Sequence, residues 1–283
     1  MRLAPRRPLV LLAVLSLASF LFTSPVGAQV SLTTLGTPYT QNFDSLLTTG
    51  TANPWTDNST LAGWYAQFSA TPANPTTYRA DSGGSNTGAI YSWGLTPLTE
   101  RAFGMLSSGT PVTVLTAVRF VNNTGSTITS LNISYNGEQW RDGGAVTPVA
   151  QTTFFEYQVA NAGTITDANA PTTGWTSFSS LDFTSPTFTN TTTGAAIDGN
   201  NASNRTAKSA TLTVTVNPGQ EVWLRWRDPN DAGNDHGLGV DDLSVTPQGS
   251  PNAPVVPSCP ASLATVFGTA TSAGVSASDA CTP

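Results

Sequence analysis

The chain has 283 residues, of which 10% are charged, with 11 basic against 17 acidic side chains. That acidic balance excludes bulk-charge attraction to nucleic-acid phosphates. The two cysteines, Cys259 and Cys281, both lie close to the C-terminus, so a disulfide framework does not hold the main domain.

Residues 1–28 read as an export signal. Arg2, Arg6 and Arg7 form its basic end, residues 9–22 its apolar core, and Val26-Gly27-Ala28 a small-residue cleavage site. The expected mature chain begins at Gln29, is extracellular, and carries a net charge of about −9 once the three arginines are gone. No later stretch is apolar enough to span a bilayer. Residues 29–247 suit one domain. Pro251, Pro254 and Pro257 mark residues 248–257 as a linker. Residues 258–283 hold too few apolar side chains for a core, and read as the start of a truncated second module or a disordered tail.

In the main domain, Tyr39 and Phe43 begin a first strand with both rings inward, which places Asn42 and Asp44 together. Strands are expected at 61–68 and 89–93, with a turn at 81–86 between them. The middle is the most regular part: strands at 101–106, 112–121 and 128–135, then Asn136-Gly137 as a hairpin signal. Residues 138–141 and 153–159 follow as strands. The polar stretch 160–209 predicts loops and one or two edge strands. From Thr211 to Val216 the alternation is perfect, with Leu212, Val214 and Val216 on one face and three threonines on the other. Asn217-Pro218-Gly219-Gln220 supplies a hairpin turn. The next run buries Val222, Leu224 and Trp226 and turns Glu221, Trp223 and Arg225 outward. A last strand carries Leu238, Val240, Leu243 and Val245. With no helix-period segment after the signal, about ten to twelve short strands make the expected fold an all-β, two-sheet antiparallel jelly-roll sandwich.

The chemistry-bearing residues are few. Asp228, Asn230, Asp231, Asn234, Asp235 and His236 crowd one loop, and Asp241 and Asp242 follow. Hard oxygen ligands at this density suit calcium, and the same residues also make turns. Asp242 shares a side with Leu238 and Val240 in a regular strand, and a buried carboxylate needs a partner or a metal. A bulge at the Asp pair removes that argument. The 80–84 run Ala-Asp-Ser-Gly-Gly is a turn rather than a nucleophile site, since the chain's one histidine, His236, comes far after it. Glu138 and Glu156 fall on adjacent expected strands, and a carboxylate pair is what glycoside hydrolysis uses. Trp140 and Trp223 fall on outward faces, where flat rings stack on sugars while Arg and Asn bond the hydroxyls.

Three stretches resemble a known group. Gln41-Asn42-Phe43-Asp44, Asn136-Gly137-Glu138-Gln139-Trp140-Arg141 and the 230–243 ending are similar to an N-terminal module of large secreted bacterial proteins. Some of those carry a downstream endonuclease/exonuclease/phosphatase-type nuclease domain or a surface-sorting tail. The Gly-Leu-Gly-Val-Asp-Asp-Leu ending is also similar to the last strand of MAM and carbohydrate-binding jelly rolls. That resemblance implies a cation held by Asp241 or Asp242 with Asp44 or Asn42. Residues 258–283 resemble the opening of the module that usually follows, and with no nuclease domain or sorting signal before Pro283 the nuclease activity of longer relatives is not expected here.

These readings converge on a non-enzymatic secreted module that binds a glycan or cell-surface polymer, with a structural calcium. The expected ligand-binding set is Trp140, Trp223, Arg225 and Glu138, and the expected metal set is Asp44, Asn42, Asp241 and Asp242. The alternatives are a structural or adhesion spacer, a truncated remnant of a larger nuclease-type protein, and a glycan hydrolase using Glu138 and Glu156. Nucleic acid is not an expected partner.

Overall fold

The computed structural model describes residues 29–70 and 73–249. The expected export signal, nearly all of the linker, and the tail with both cysteines lie outside the described residues. Sixteen strands follow in chain order: β1 (Val30–Leu32), β2 (Tyr39–Gln41), β3 (Asn53–Pro54), β4 (Trp64–Phe68), β5 (Thr77–Asp81), β6 (Ala89–Trp93), β7 (Ala102–Leu106) and β8 (Thr113–Asn122), then β9 (Ile128–Asp142), β10 (Thr152–Asn161), β11 (Thr176–Ser177), β12 (Phe183–Thr184), β13 (Ala195–Ala196), β14 (Arg205–Val216), β15 (Gln220–Pro229) and β16 (Gly237–Gln248). Among the described residues, the one helical element is a 3-10 turn at Ser179–Leu181.

The strands form two sheets. The seven-stranded sheet runs β1-β8-β15-β10-β11, with β4 also on β8 and β12 on β10. The nine-stranded sheet runs β13-β9-β16-β7-β6-β5-β3, with β14 also on β9 and β2 on β16. Pairing is antiparallel throughout except for β1 with β8 and β5 with β6. The fold is the expected all-β jelly-roll sandwich.

Between the sheets, alternation behaves as the sequence says. Leu212, Val214 and Val216 face Val222, Leu224 and Trp226 across the core. The aromatic centre is Trp64 stacked on Trp226 at 5.7 Å between centroids, with Phe43 and Phe103 edge-on to Trp64 at 4.9 Å and 5.7 Å.

Both turn signals needed correction. Asn217-Pro218-Gly219 does turn the chain, but β14 lies in one sheet and β15 in the other, so the turn is a crossover rather than a hairpin. That crossover is what sets the two apolar faces against each other. Asn136-Gly137 is no turn: β9 runs straight through it for 15 residues. The glycine serves a close approach instead, since a Cβ on Gly137 would lie 2.3 Å from the Phe183 ring. Gly137→Ala is therefore expected to cost about 1–3 kcal/mol by overpacking. Urea denaturation reads this, and a loss below about 0.5 kcal/mol, the scatter of neutral surface changes, would contradict it.

Two smaller apolar clusters cover the outer faces. Trp223 with Tyr65, Leu115, Ala117, Ile165 and Ala168 lies on the outside of the seven-stranded sheet, under the 162–175 loop. Trp140 with Tyr91, Trp93, Ala102 and Leu106 lies on the outside of the nine-stranded sheet. There Gly199 presses on the Trp140 indole so closely that a Cβ would come within 2.4 Å of it.

Candidate functional site

The four expected ligand-binding residues do not form an open site. Trp140 and Trp223 are on the outward faces as expected, but both are 0% exposed because loops lie over those faces. Trp223 Nε1 donates to Glu221 Oε2 at 3.1 Å, and Trp140 Nε1 donates to Glu138 Oε2 at 3.0 Å. Glu221, expected outward, is equally buried and takes bonds from Arg119 and from the Gly163 amide. Arg225 is buried, donating to Glu156 Oε2 at 2.6 Å and to the Ala168 carbonyl at 2.9 Å, with Trp175 3.9 Å beneath its guanidinium. These bonds pin the 162–175 loop to the sheet.

The hydrolase pair comes apart as well. Glu138 is on β9 and Glu156 on β10, in different sheets, because the chain crosses between sheets where adjacency was expected. Glu156 is held by Arg225 and by Arg227 at 3.1 Å. His236 is also structural: its Nδ1 accepts the Gly143 amide at 3.1 Å, within a buried set that includes Gln139 and Asp142.

The expected metal set divides at a bulge. The β16–β9 register shifts between Asp241 and Ser244, and Asp242 takes a positive φ of 49°. The extra residue swings Asp242 out to solvent, where Asn136 Nδ2 donates to it at 3.0 Å. Asp242, Asn42, Thr40 and Gln41 line a cavity of about 400 Å³. Exposed Asp44 is occupied with the Arg101 amide at 3.0 Å and Asn42 Nδ2 at 2.8 Å. Asp241 goes the other way and is buried.

There Asp241 meets two glutamates that spacing does not link to it. Ligand atoms of Glu100, Glu138 and Asp241 all lie within 4.8 Å of one another, on the outer side of the nine-stranded sheet. This is the one such group found among the described residues. Burial, then the neighbouring Glu100 carboxylate, pushes the Glu138 carboxyl up to about 8. Asp241 is raised by burial and then by Glu138. A sequence signal for the cluster existed only in part: Glu138 and Asp241 were candidates, for different roles, and Glu100 was not.

A second feature was missed altogether. A cleft of about 430 Å³ opens beside β5, lined by Phe68, Asn74, Thr77, Arg79 and Thr87 among others. Phe68 is half-buried there. Arg79 makes one long bond, from Nη1 to the Thr51 carbonyl at 3.5 Å, and its buried Nε has no partner.

No family model matches the chain, and no curated protein matches it. Solved structures do. The CBM22-1 xylan-binding domain from Paenibacillus barcinonensis Xyn10C is 8% identical, with 77% of this chain and 100% of that chain covered and a TM-score of 0.35. The K2 cleaved adhesin domain of Lys-gingipain is 15% identical, with 74% and 97% covered and a TM-score of 0.34. A Bacillus thuringiensis Cry1Da tryptic core variant is 9% identical, with 68% and 31% covered and a TM-score of 0.26. The sandwich described above rests on its own strand pairing. No helix among the described residues is long and apolar enough to cross a membrane.

Proposed function

We propose that the chain is an exported, non-catalytic binding module whose cleft beside β5 takes a segment of a neutral glycan or similar cell-surface polymer. The carrying observation is the cleft's chemistry. One half-buried ring, Phe68, offers an apolar face, while Arg79, Asn74 and the threonines offer donors and acceptors for hydroxyls. The half-buried Arg79 makes a single long side-chain bond, from Nη1 to the Thr51 carbonyl at 3.5 Å, which leaves its guanidinium little committed to protein acceptors. Export is supported by the basic, apolar and small-residue run of residues 1–28. The non-catalytic part is supported by the engagement of His236 and Glu156 in buried structural bonds.

Affinity electrophoresis of the protein through gels carrying different polysaccharides tests this. Retardation in at least one gel is expected. Arg79→Ala should weaken it roughly tenfold, the equivalent of about 1.4 kcal/mol, with unfolding unchanged because Arg79 holds little of the fold together. Full retardation by both Arg79→Ala and Asn74→Ala would rule out this cleft. No retardation in any gel would favour the spacer reading, which the sealing of both outer tryptophan faces also supports.

A further inference from the structure

We infer that Glu100, Glu138 and Asp241 together bind one divalent cation of the calcium type on the outer side of the nine-stranded sheet. The inference is independent of the glycan reading and uses none of its residues. Three elements supply the ligands: Glu100 from the segment entering β7, Glu138 from β9 and Asp241 from the bulge in β16. One carboxylate oxygen from each lies within 4.8 Å of those of the other two. Oxygens bound to one calcium at roughly 2.3–2.6 Å are separated by no more than about 5 Å, so the cluster has the right span for a shared ion.

The second observation is the state of the oxygens. Glu138 is 0% exposed and Asp241 4% exposed. Glu100 Oε1, Glu138 Oε1 and Asp241 Oδ1 are all buried without a hydrogen-bond donor. The other Glu138 oxygen is bonded by Trp140, and the other Glu100 oxygen by Asn200. Each glutamate is thus oriented through one oxygen, and its second is buried with no hydrogen-bond donor. Buried acceptors that lack donors are unfavourable unless something else completes them. Arg205 Nη2 lies 3.8 Å from Glu138 Oε1, at the rim, and the Arg101 guanidinium also attracts Glu100. A divalent ion and Arg205 would together match three carboxylates in charge. The ligand set is all oxygen, which favours calcium or magnesium over softer metals. Three protein oxygens leave positions for water, and half-exposed Glu100 gives the ion a way in.

This site differs from one built on Asp44, Asn42 and Asp242, and the two are separable. The full chain is stripped with EDTA, and thermal unfolding is followed with added calcium, with magnesium, and with neither. Calcium at roughly 100-fold over its Kd is expected to raise the Tm by about 5–10 °C. Glu138→Gln and Asp241→Asn should abolish that rise, and Asp44→Asn should keep it. The two amide variants should still fold in EDTA, where they remove unpaired acidic groups. Terbium gives a direct readout: Trp140 lies beside Glu138 and should sensitise its emission, and Glu138→Gln should lose the signal while Asp44→Asn retains it. No stabilisation of the parent by calcium, a response to magnesium alone, or a calcium response lost in Asp44→Asn but kept in Glu138→Gln would each overturn the assignment.

Discussion

Trp223→Ala is expected to lower the unfolding free energy by about 3–5 kcal/mol, and to do so before any effect on ligand binding can be read. The indole is 0% exposed and packs on Tyr65 with ring centroids 4.5 Å apart. It also carries the buried contacts with Ile165 and Ala168 that seat the 162–175 loop. Truncation leaves a cavity and removes the N–H donor of Glu221 Oε2, whose unpaired burial adds about 1–3 kcal/mol. Against a total stability of about 5–15 kcal/mol for a domain, that is a large fraction. Trp223→Phe should fall between parent and alanine, because it keeps most of the packing and loses the hydrogen bond. Urea denaturation measures all three, and limited proteolysis should show the 162–175 loop cut faster in the alanine variant. An alanine variant within 1 kcal/mol of the parent would mean that the loop does not seal this face in solution.

Trp223 also shows where the sequence was legible and where it was not. Strand positions follow from runs of β-forming side chains, a local property, so β6, β8, β10 and β15 stand close to where the sequence puts them, while β14 begins at Arg205, inside the stretch expected as loops. The face of Trp223 and Trp140 was read correctly too. What lies over that face was not, because the covering segments come from residues 162–175 and from the region of Gly199, and alternation reports facing, not covering. Turn chemistry failed for a related reason. Asn136-Gly137 is a good hairpin dipeptide in isolation, but its glycine answers to Phe183, some 46 positions away. Asn217-Pro218-Gly219 is a real turn, yet nothing in four residues says whether the strands it joins will pair or separate into two sheets.

The acid cluster was the least legible feature. Glu100, Glu138 and Asp241 come from three strands' worth of separate chain, so no spacing rule joins them. Asp241 and Asp242 are adjacent, and a regular strand would have aimed Asp242 inward; the bulge exchanges the two. The acidity of the 228–235 loop was plain in the sequence, but its carboxylates serve mainly as turn and amide acceptors, as in the Asp231 amide bond to Asp235 at 2.8 Å.

One member of that loop is expected to govern how stability varies with pH. Asp228 is buried at the end of β15, with its Oδ2 accepting the Ser107 amide at 3.0 Å. Burial, and more weakly the facing carboxyls of Asp235 and Asp231, pushes its carboxyl from the usual 3.8 up to about 8. The folded protein therefore holds a proton that the unfolded chain releases. Below about pH 4 both states are protonated and the contribution is intact. Between there and about 8 the unfolded state binds fewer protons than the folded one, so stability falls as pH rises. Above the folded value the buried group ionises and the loss levels off. At about 1.36 kcal/mol per unit, the total approaches several kcal/mol. Asp228→Asn reproduces the donor and acceptor of the neutral acid without a titration, so it should remove this part of the slope. Other raised carboxyls, including Asp57, Asp235 and the Glu138 cluster, tilt the curve the same way in EDTA. The difference between parent and variant cancels them. Unfolding free energies of the two proteins at pH 5 and pH 8.5, both in EDTA, should diverge by a few kcal/mol as pH rises, with the variant the more stable at the alkaline end. Parallel curves would show that Asp228 enters the folded state already ionised, with its charge met by something other than the Ser107 amide.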